Sequence, residues 1–256
     1  MTADEISDIQ PQLANCRDCW LQWGISGRSD SGLVYYRSGL LNAQLNGVLC
    51  LADCEPPDQA VDHALDQFVG VPWSWWVGRD SGPGVGDGLV RRGAVKVGTL
   101  PIMAVHLDKV ASVQRPDALE IEATDDCDGV REWVRAYAPS IGVPPEALAD
   151  VIRAAEESRT DGSHVVRVTG RVEGEPVATA LMLDRQGVAG VYVVSTAPAH
   201  RRQGIGAAVT QAALGAGRER GLRIGTLQAS SMGAPVYRRM GFEKVAEYEV
   251  FQFTES

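Results

Sequence analysis

Apolar residues along this 256-residue chain switch repeatedly between strand-like runs and helical spacing. Residues 4–24 read as a helix, and GLVYYRSGL (32–40) and LNGVLCLAD (45–53) read as two strands rich in branched and aromatic side chains. The next segment, PPDQAVDHALDQFV, opens on prolines and then spaces Ala60, Val61, Ala64, Leu65 and Phe68 at helical intervals, which predicts a helix with a proline start. PWSWWV follows as an aromatic strand, GDGLVRRG as a short helix and VKVGTLPIMAVHL as a closing strand.

Residues 109–118, KVASVQRPDA, are polar and contain a proline, so they read as a linker. Beyond them ALEIEATDDCDGVREWVRAYA predicts a strand and a helix capped near Thr124–Asp126, and PPEALADVIRAAEES predicts a second helix. SHVVRVTGRVEGEPVATALML alternates on either side of Glu173-Gly174, a hairpin signal, and GVAGVYVVST is a third strand. A helix over GIGAAVTQAALGAGRERG, a strand over LRIGTLQAS, a short helix over APVYRRM and a strand over FEKVAEYEVFQF complete the chain. Both halves thus share the order strand, strand, helix, strand, short helix, strand. This predicts an α/β (α+β) protein of two halves, 1–110 and 119–256, repeating a fold and not a sequence motif.

The charge narrows the partners. Asp and Glu number 33 against 24 Lys and Arg, a formal charge of -9, which disfavours nucleic acid and favours a cationic small molecule. The N-terminus, MTADEISDIQPQLANC, is acidic and shows no secretory pattern, and no run reaches the length of a membrane span, so a cytoplasmic chain without membrane partners is expected. Five cysteines without an export signal should be thiols. Cys16, Cys19, Cys50 and Cys54 nominally offer four zinc ligands, but the first pair lies in a helix-like segment and Cys50 in an apolar strand, where thiols pack as small core residues. No metal is expected.

The candidate chemistry lies between Ser195 and Gly221, STAPAHRRQGIGAAVTQAALGAGRERG. A strand, a basic glycine loop and a helix make an anion cradle: the first helical N–H groups lack intrahelical partners, the helix dipole is positive there, and glycines let a diphosphate approach. The loop is not G-x-x-x-x-G-K-[ST]. It is not G-x-G-x-x-G either, since Val209 stands where the third glycine would be. What remains is R-x-x-G-x-G, Arg201 to Gly206, followed some thirty residues on by Tyr237 in APVYRRMGF.

That arrangement resembles the GNAT superfamily of acyl-CoA-dependent N-acyltransferases over residues 119–253. The resemblance implies acetyl-CoA as acyl donor and a bulge that splays the strand before the loop. Backbone groups of Val194, Ser195 and Thr196 would then bind the pantetheine arm and acyl carbonyl. Arg201, Arg202, Gln203, Gly204, Ile205, Gly206 and Ala207 would hold the pyrophosphate. Tyr237 would protonate the leaving thiolate. Ser230 stands where an Asn is common in the family, and the strand RIGTLQAS lacks the Glu that many members use as general base. Asp184, Glu175, His200 or a water chain are the remaining base candidates. The first half repeats R-x-x-G-x-G at Arg79–Gly84, but Pro83 removes an amide where a donor is needed, so this half reads as a degenerate repeat without a CoA site. Trp73, Trp75 and Trp76 read as core or as an apolar wall for the acceptor. The expected function is acetyl transfer to the primary amine of a small, cationic molecule by a monomer or homodimer. A protein or peptide amine acceptor, and a noncatalytic acyl-CoA-binding module, are the alternatives.

Overall fold

The computed structural model describes residues 3–28, 32–51, 57–157 and 164–253. The chain forms two compact units, each drawing a short segment from the opposite end of the sequence: residues 1–15 with 103–243, and 16–102 with 244–256.

The first unit contains α4 (Cys127–Tyr137), α5 (Leu148–Glu157), α6 (Ile205–Glu219) and α7 (Ala234–Arg239) around β6 (Leu119–Thr124), β7 (Val165–Val172), β8 (Glu175–Arg185), β9 (Val188–Thr196), β10 (Ile224–Gln228) and the end of β5 (Ala94–His106). These strands lie side by side in the order β5-β10-β9-β8-β7-β6. Pairing is antiparallel from β6 to β9 and parallel between β9 and β10. Glu173 and Gly174 both adopt positive φ (53° and 82°), the geometry of a type I′ hairpin turn, and Gln186-Gly187 repeats it (58° and 74°). Asp126 caps α4 by accepting a hydrogen bond from the Gly129 N–H at 2.7 Å. The apolar face of α6 buries Ile205, Ala208, Val209, Ala213 and Leu214 against Ala180, Met182, Ala189 and Val191 of the sheet.

Asn15 fixes the β8–β9 hairpin from outside the sheet. Its amide donates to the carbonyls of Leu183, Arg185 and Val188, and its Oδ1 accepts from the Tyr192 hydroxyl at 2.7 Å. A side chain 177 positions from its partner is not legible in local sequence. The polar segment after β5 is tied down as well, with the Ala111 N–H donating to the Met240 carbonyl.

The second unit holds most of α1 (Ile9–Trp20), with α2 (Pro57–Gln67), α3 (Val85–Arg91), β1 (Ile25–Arg28), β2 (Leu33–Arg37), β3 (Asn46–Leu51), β4 (Ser74–Val77) and most of β11 (Glu243–Phe253). Its strand order is β1-β2-β3-β4-β11-β5, again with one parallel pair, β3–β4. The sequence pattern missed β1, a four-residue edge strand of Ile-Ser-Gly-Arg without apolar alternation. Trp75 and Trp76 are 0% and 1% exposed, and Trp73 stacks on Phe68 and Phe253, so this cluster is the core of the unit and is not free to wall an acceptor.

Arg17 and Asp80 form a buried ion pair beside Tyr248 and Cys50, whose thiol donates to the Asp80 carbonyl at 3.3 Å. Removing one member of such a pair leaves an uncompensated buried charge. Asp80→Ala is therefore expected to lower the unfolding free energy by about 3–5 kcal/mol, read from urea denaturation, and Asp80→Leu with Arg17→Leu by less than the single change.

Candidate functional site

The site begins with a defect in β9. Thr179 of β8 faces Ser195 and Leu181 faces Tyr192, so Val193 and Val194 together oppose the single residue Ala180. Val193 has φ 50°, a conformation strongly disfavoured for a β-branched side chain. The hydroxyl of Thr179, fully buried, donates to the Val193 carbonyl at 2.8 Å and holds the bulge. On the other edge, pairing of β9 with β10 ends at Val191–Leu227. Beyond that point the strands part, and β10 does not use the main chain of Val194, Ser195 and Thr196.

The glycine loop closes the open end of this wedge. The chain turns through Arg202 (φ 63°) and Gly204 (φ 82°), the left-handed N-cap of α6. Arg201 Nε donates back to the Thr196 carbonyl at 3.1 Å, and Gln203 Nε2 to the Ala199 carbonyl at 3.3 Å. Both side chains therefore brace the loop. The first helical bond runs from the Ala208 N–H to the Gly204 carbonyl, so the N–H groups of Ile205, Gly206 and Ala207 precede any intrahelical acceptor. A Cβ on Gly206 would lie 3.3 Å from Thr196 Oγ1, which shows how closely strand end and helix start approach.

Tyr237 on α7 is 8% exposed. The Thr210 hydroxyl of α6 lies beside the phenol and donates to the Gly206 carbonyl at 2.8 Å. Burial pushes the phenol up to about 12, with the Thr210 hydroxyl acting in the opposite sense. Gly233 makes room for the ring, since a Cβ there would meet Tyr237 Cε2 at 2.8 Å. The Ser230 hydroxyl accepts from the Gly233 N–H at 3.1 Å and so begins the turn into α7.

The strand, loop and tyrosine helix thus converge, whereas the candidate bases do not join them. Asp184 lies across from Ala189, about 20 Å along the strand from Ser195, and approaches Arg220 at 3.7 Å. Glu175 is exposed where β8 begins. His200 sits in the turn before the loop, its N–H bonded to the Ala197 carbonyl. Among the described residues no group of three or more His, Cys, Asp or Glu could hold a metal, and Cys54 lies outside them. Nor is any described helix long and apolar enough to cross a membrane. Sequence reasoning missed Thr179, Thr210 and Gly233; the one local signal was Thr210, a hydroxyl within the apolar stripe of AAVTQAALGA.

The second unit contains the same defect in a closed form. Leu49 is the extra residue in β3, between Val48 opposite Tyr35 and Cys50 opposite Val34, and parallel pairing with β4 ends at Val48–Trp75. Here the Gly82 N–H donates to the Leu51 carbonyl at 3.1 Å, bonding the strand end to the loop before α3.

A bulged strand parting from its parallel neighbour, followed by a glycine loop and helix, defines the GNAT fold. Residues 127–242 match the model of the Acetyltransferase (GNAT) family. A GCN5-related N-acetyltransferase from Kribbella flavida has the same fold, with a TM-score of 0.68 at 20% identity over 99% of this chain and 98% of that one. One from Sphaerobacter thermophilus reaches 0.64 at 19% identity over 78% and 67%. A tandem GNAT protein from the clavulanic acid biosynthesis pathway reaches 0.63 at 12% identity over 98% and 97%. No curated protein matches the chain by sequence.

Because the Tyr237 phenol is raised above its unfolded value of about 10, its neutral form stabilises the fold fully below pH 10, and that contribution is lost as pH rises toward 12. The difference in unfolding free energy between wild type and Tyr237→Phe should therefore shrink by roughly 2 kcal/mol across this window, measured by urea denaturation at several pH values.

Proposed function

We propose that the chain is an acetyl-CoA-dependent N-acetyltransferase whose catalytic half is residues 119–256 and whose acceptor is the primary amine of a small cationic molecule. The observation that carries this reading is the β9 wedge: strained main chain freed from β10, ending at a helix whose first N–H groups have no intrahelical partner. The cradle fits a diphosphate, because the left-handed Gly204 presents no side chain and Gly206 leaves only a narrow gap to Thr196. Ile205, Gly206 and Ala207 would donate to the phosphates, with Arg202 adding charge, while Arg201 and Gln203 hold the loop's shape. Main-chain groups of Val194, Ser195 and Thr196 would bind the pantetheine arm and the acyl carbonyl, and Ser230 would keep the opposite wall in position.

Acetyl-CoA supplies the activated thioester. Attack by the amine forms a C–N bond and breaks the C–S bond. The N–H groups beside the bulge stabilise negative charge developing on the carbonyl oxygen, and Tyr237 gives the leaving sulfur its proton. No carboxylate stands on β10, so the amine's proton leaves through water. The chain's excess of 33 acidic over 24 basic residues supports a cationic acceptor through long-range attraction. The first half serves as a repeat without a cofactor site, its strand end bonded to Gly82 and its Asp80 paired with Arg17.

Among the described residues no candidate base joins the strand and loop, and this favours a second reading, a module that binds acyl-CoA without turnover. A panel of amines offered with acetyl-CoA, read by free-thiol release, separates the two. Release with butylamine exceeding that with aminobutyrate, by a margin that narrows at high salt, is expected of the transferase. Calorimetric binding without release for any amine would establish the module. Tyr237→Phe should lower kcat about 100-fold with acetyl-CoA affinity nearly unchanged. In Gly206→Glu, a carboxylate occupies the phosphate cradle, and calorimetry should show loss of acetyl-CoA binding with the fold retained.

A further inference from the structure

We propose that Arg115, carried by the segment between β5 and β6, is a phosphate ligand for the nucleotide end of the acyl donor. This rests on the reading of the α6 cradle as the acetyl-CoA site, and it adds a side chain from outside residues 127–242, the stretch that matches the family.

Residues 110–118 lie outside helix and strand, yet they are fixed at successive points along α6 and α7. The Ala111 N–H donates to the Met240 carbonyl at 3.0 Å, and the Ala111 carbonyl accepts from Gln211 Nε2 of α6 at 3.5 Å. Val110 and Val113 pack against the core. The segment then passes the N-terminus of α6, where a Cβ on Gly204 would lie 3.5 Å from the Gln114 carbonyl oxygen. Just past Arg115 the chain is held again, by the Leu119 N–H donating to the Pro116 carbonyl at 3.0 Å. Arg115 thus sits between two anchored neighbours, and the proline that follows favours an extended backbone at this position. By covalent geometry its Cα is roughly 3 Å from the Gln114 carbonyl oxygen. A phosphate held by the N–H groups of Ile205, Gly206 and Ala207 is therefore within reach of its side chain.

The charge of Arg115 is uncommitted. It is exposed and, among the described residues, forms no ion pair. Arg171, by contrast, holds both Glu122 and Glu132, and Arg131 holds both Asp128 and Glu156. Asp117, the next acid along the chain, is exposed and does not pair with it. A cation beside the positive end of a helix is electrostatically unfavourable until an anion lies between them. A phosphate on the cradle is such an anion, and a planar guanidinium can take two of its oxygens at once.

Calorimetry on the full chain with CoA, and with dephospho-CoA, which lacks the ribose phosphate, tests the assignment. Arg115→Gln should weaken CoA binding about tenfold, the loss of one charge-assisted contact, with an unchanged urea midpoint because the side chain is exposed and unpaired. Loss toward CoA alone places Arg115 on the ribose phosphate, and equal loss toward both ligands places it on the diphosphate; either supports the proposal. Unchanged affinity for both overturns it and leaves the cofactor reading standing, whereas wild type that binds neither overturns that reading and this one together. Arg135→Gln on α4 makes the same change in net charge, and an equal loss there would reveal a bulk field effect and overturn the local contact. With acetyl-CoA and butylamine, Arg115→Gln should raise KM for acetyl-CoA about tenfold while kcat stays within about twofold, since the guanidinium meets no reacting atom. A fall in kcat with KM unchanged would overturn the phosphate role.

Discussion

One strained residue organises the first unit. Val193 occupies a backbone conformation that costs a β-branched residue on the order of 1–3 kcal/mol, and it persists because its carbonyl is held by a buried threonine and its neighbours are paired on the β8 side. The extra residue turns the strand, and the turn ends pairing with β10 after Val191. Without that divergence the main chain of Val194–Thr196 would be spent on the sheet, and no polar backbone would face a ligand inside the fold. The loop, the helix N-terminus and the tyrosine all assemble around the resulting opening.

The second unit carries a bulge of its own. Leu49 interrupts β3 as Val193 interrupts β9, and the parallel pair stops equally early. What differs is the use made of the freed groups. The Leu51 carbonyl accepts from Gly82, the Asp80 carbonyl accepts from Cys50, and the Asp80 carboxylate turns inward to Arg17. Burying that ion pair is costly unless both members stay together, so the arrangement is locked by the same desolvation penalty that makes it poor at exchanging partners for a ligand. In the first unit the helix that receives the strand runs from Ile205 to Glu219, whereas α3 in the second runs only from Val85 to Arg91.

The burial of Tyr237 has a related logic. The Tyr237 phenol, pushed up to about 12 by its apolar surroundings, keeps its proton at neutral pH, and the Thr210 hydroxyl beside it acts in the opposite sense, because a neighbouring donor lowers the cost of a buried phenolate.

Much of this was legible in the chain. Period and punctuation predicted nearly every strand and helix, because amphipathic spacing, prolines at helix starts and glycines in turns act within a few residues; Glu173-Gly174 and Asp126 are such signals. The basic glycine loop and Tyr237 stood out because residue type and spacing are read directly from the chain. Three things were not. Asn15 bonded to a hairpin more than 160 residues away, the exchange of terminal segments between units, and the inward turn of Asp80 toward Arg17 all depend on which distant surfaces meet. The same holds for Thr179, an ordinary threonine in sequence, which acquires a task only because folding sets it against a strained carbonyl. Local spacing determines which elements form and what chemistry they can carry; burial and long-range hydrogen bonding decide which polar groups remain available to use it.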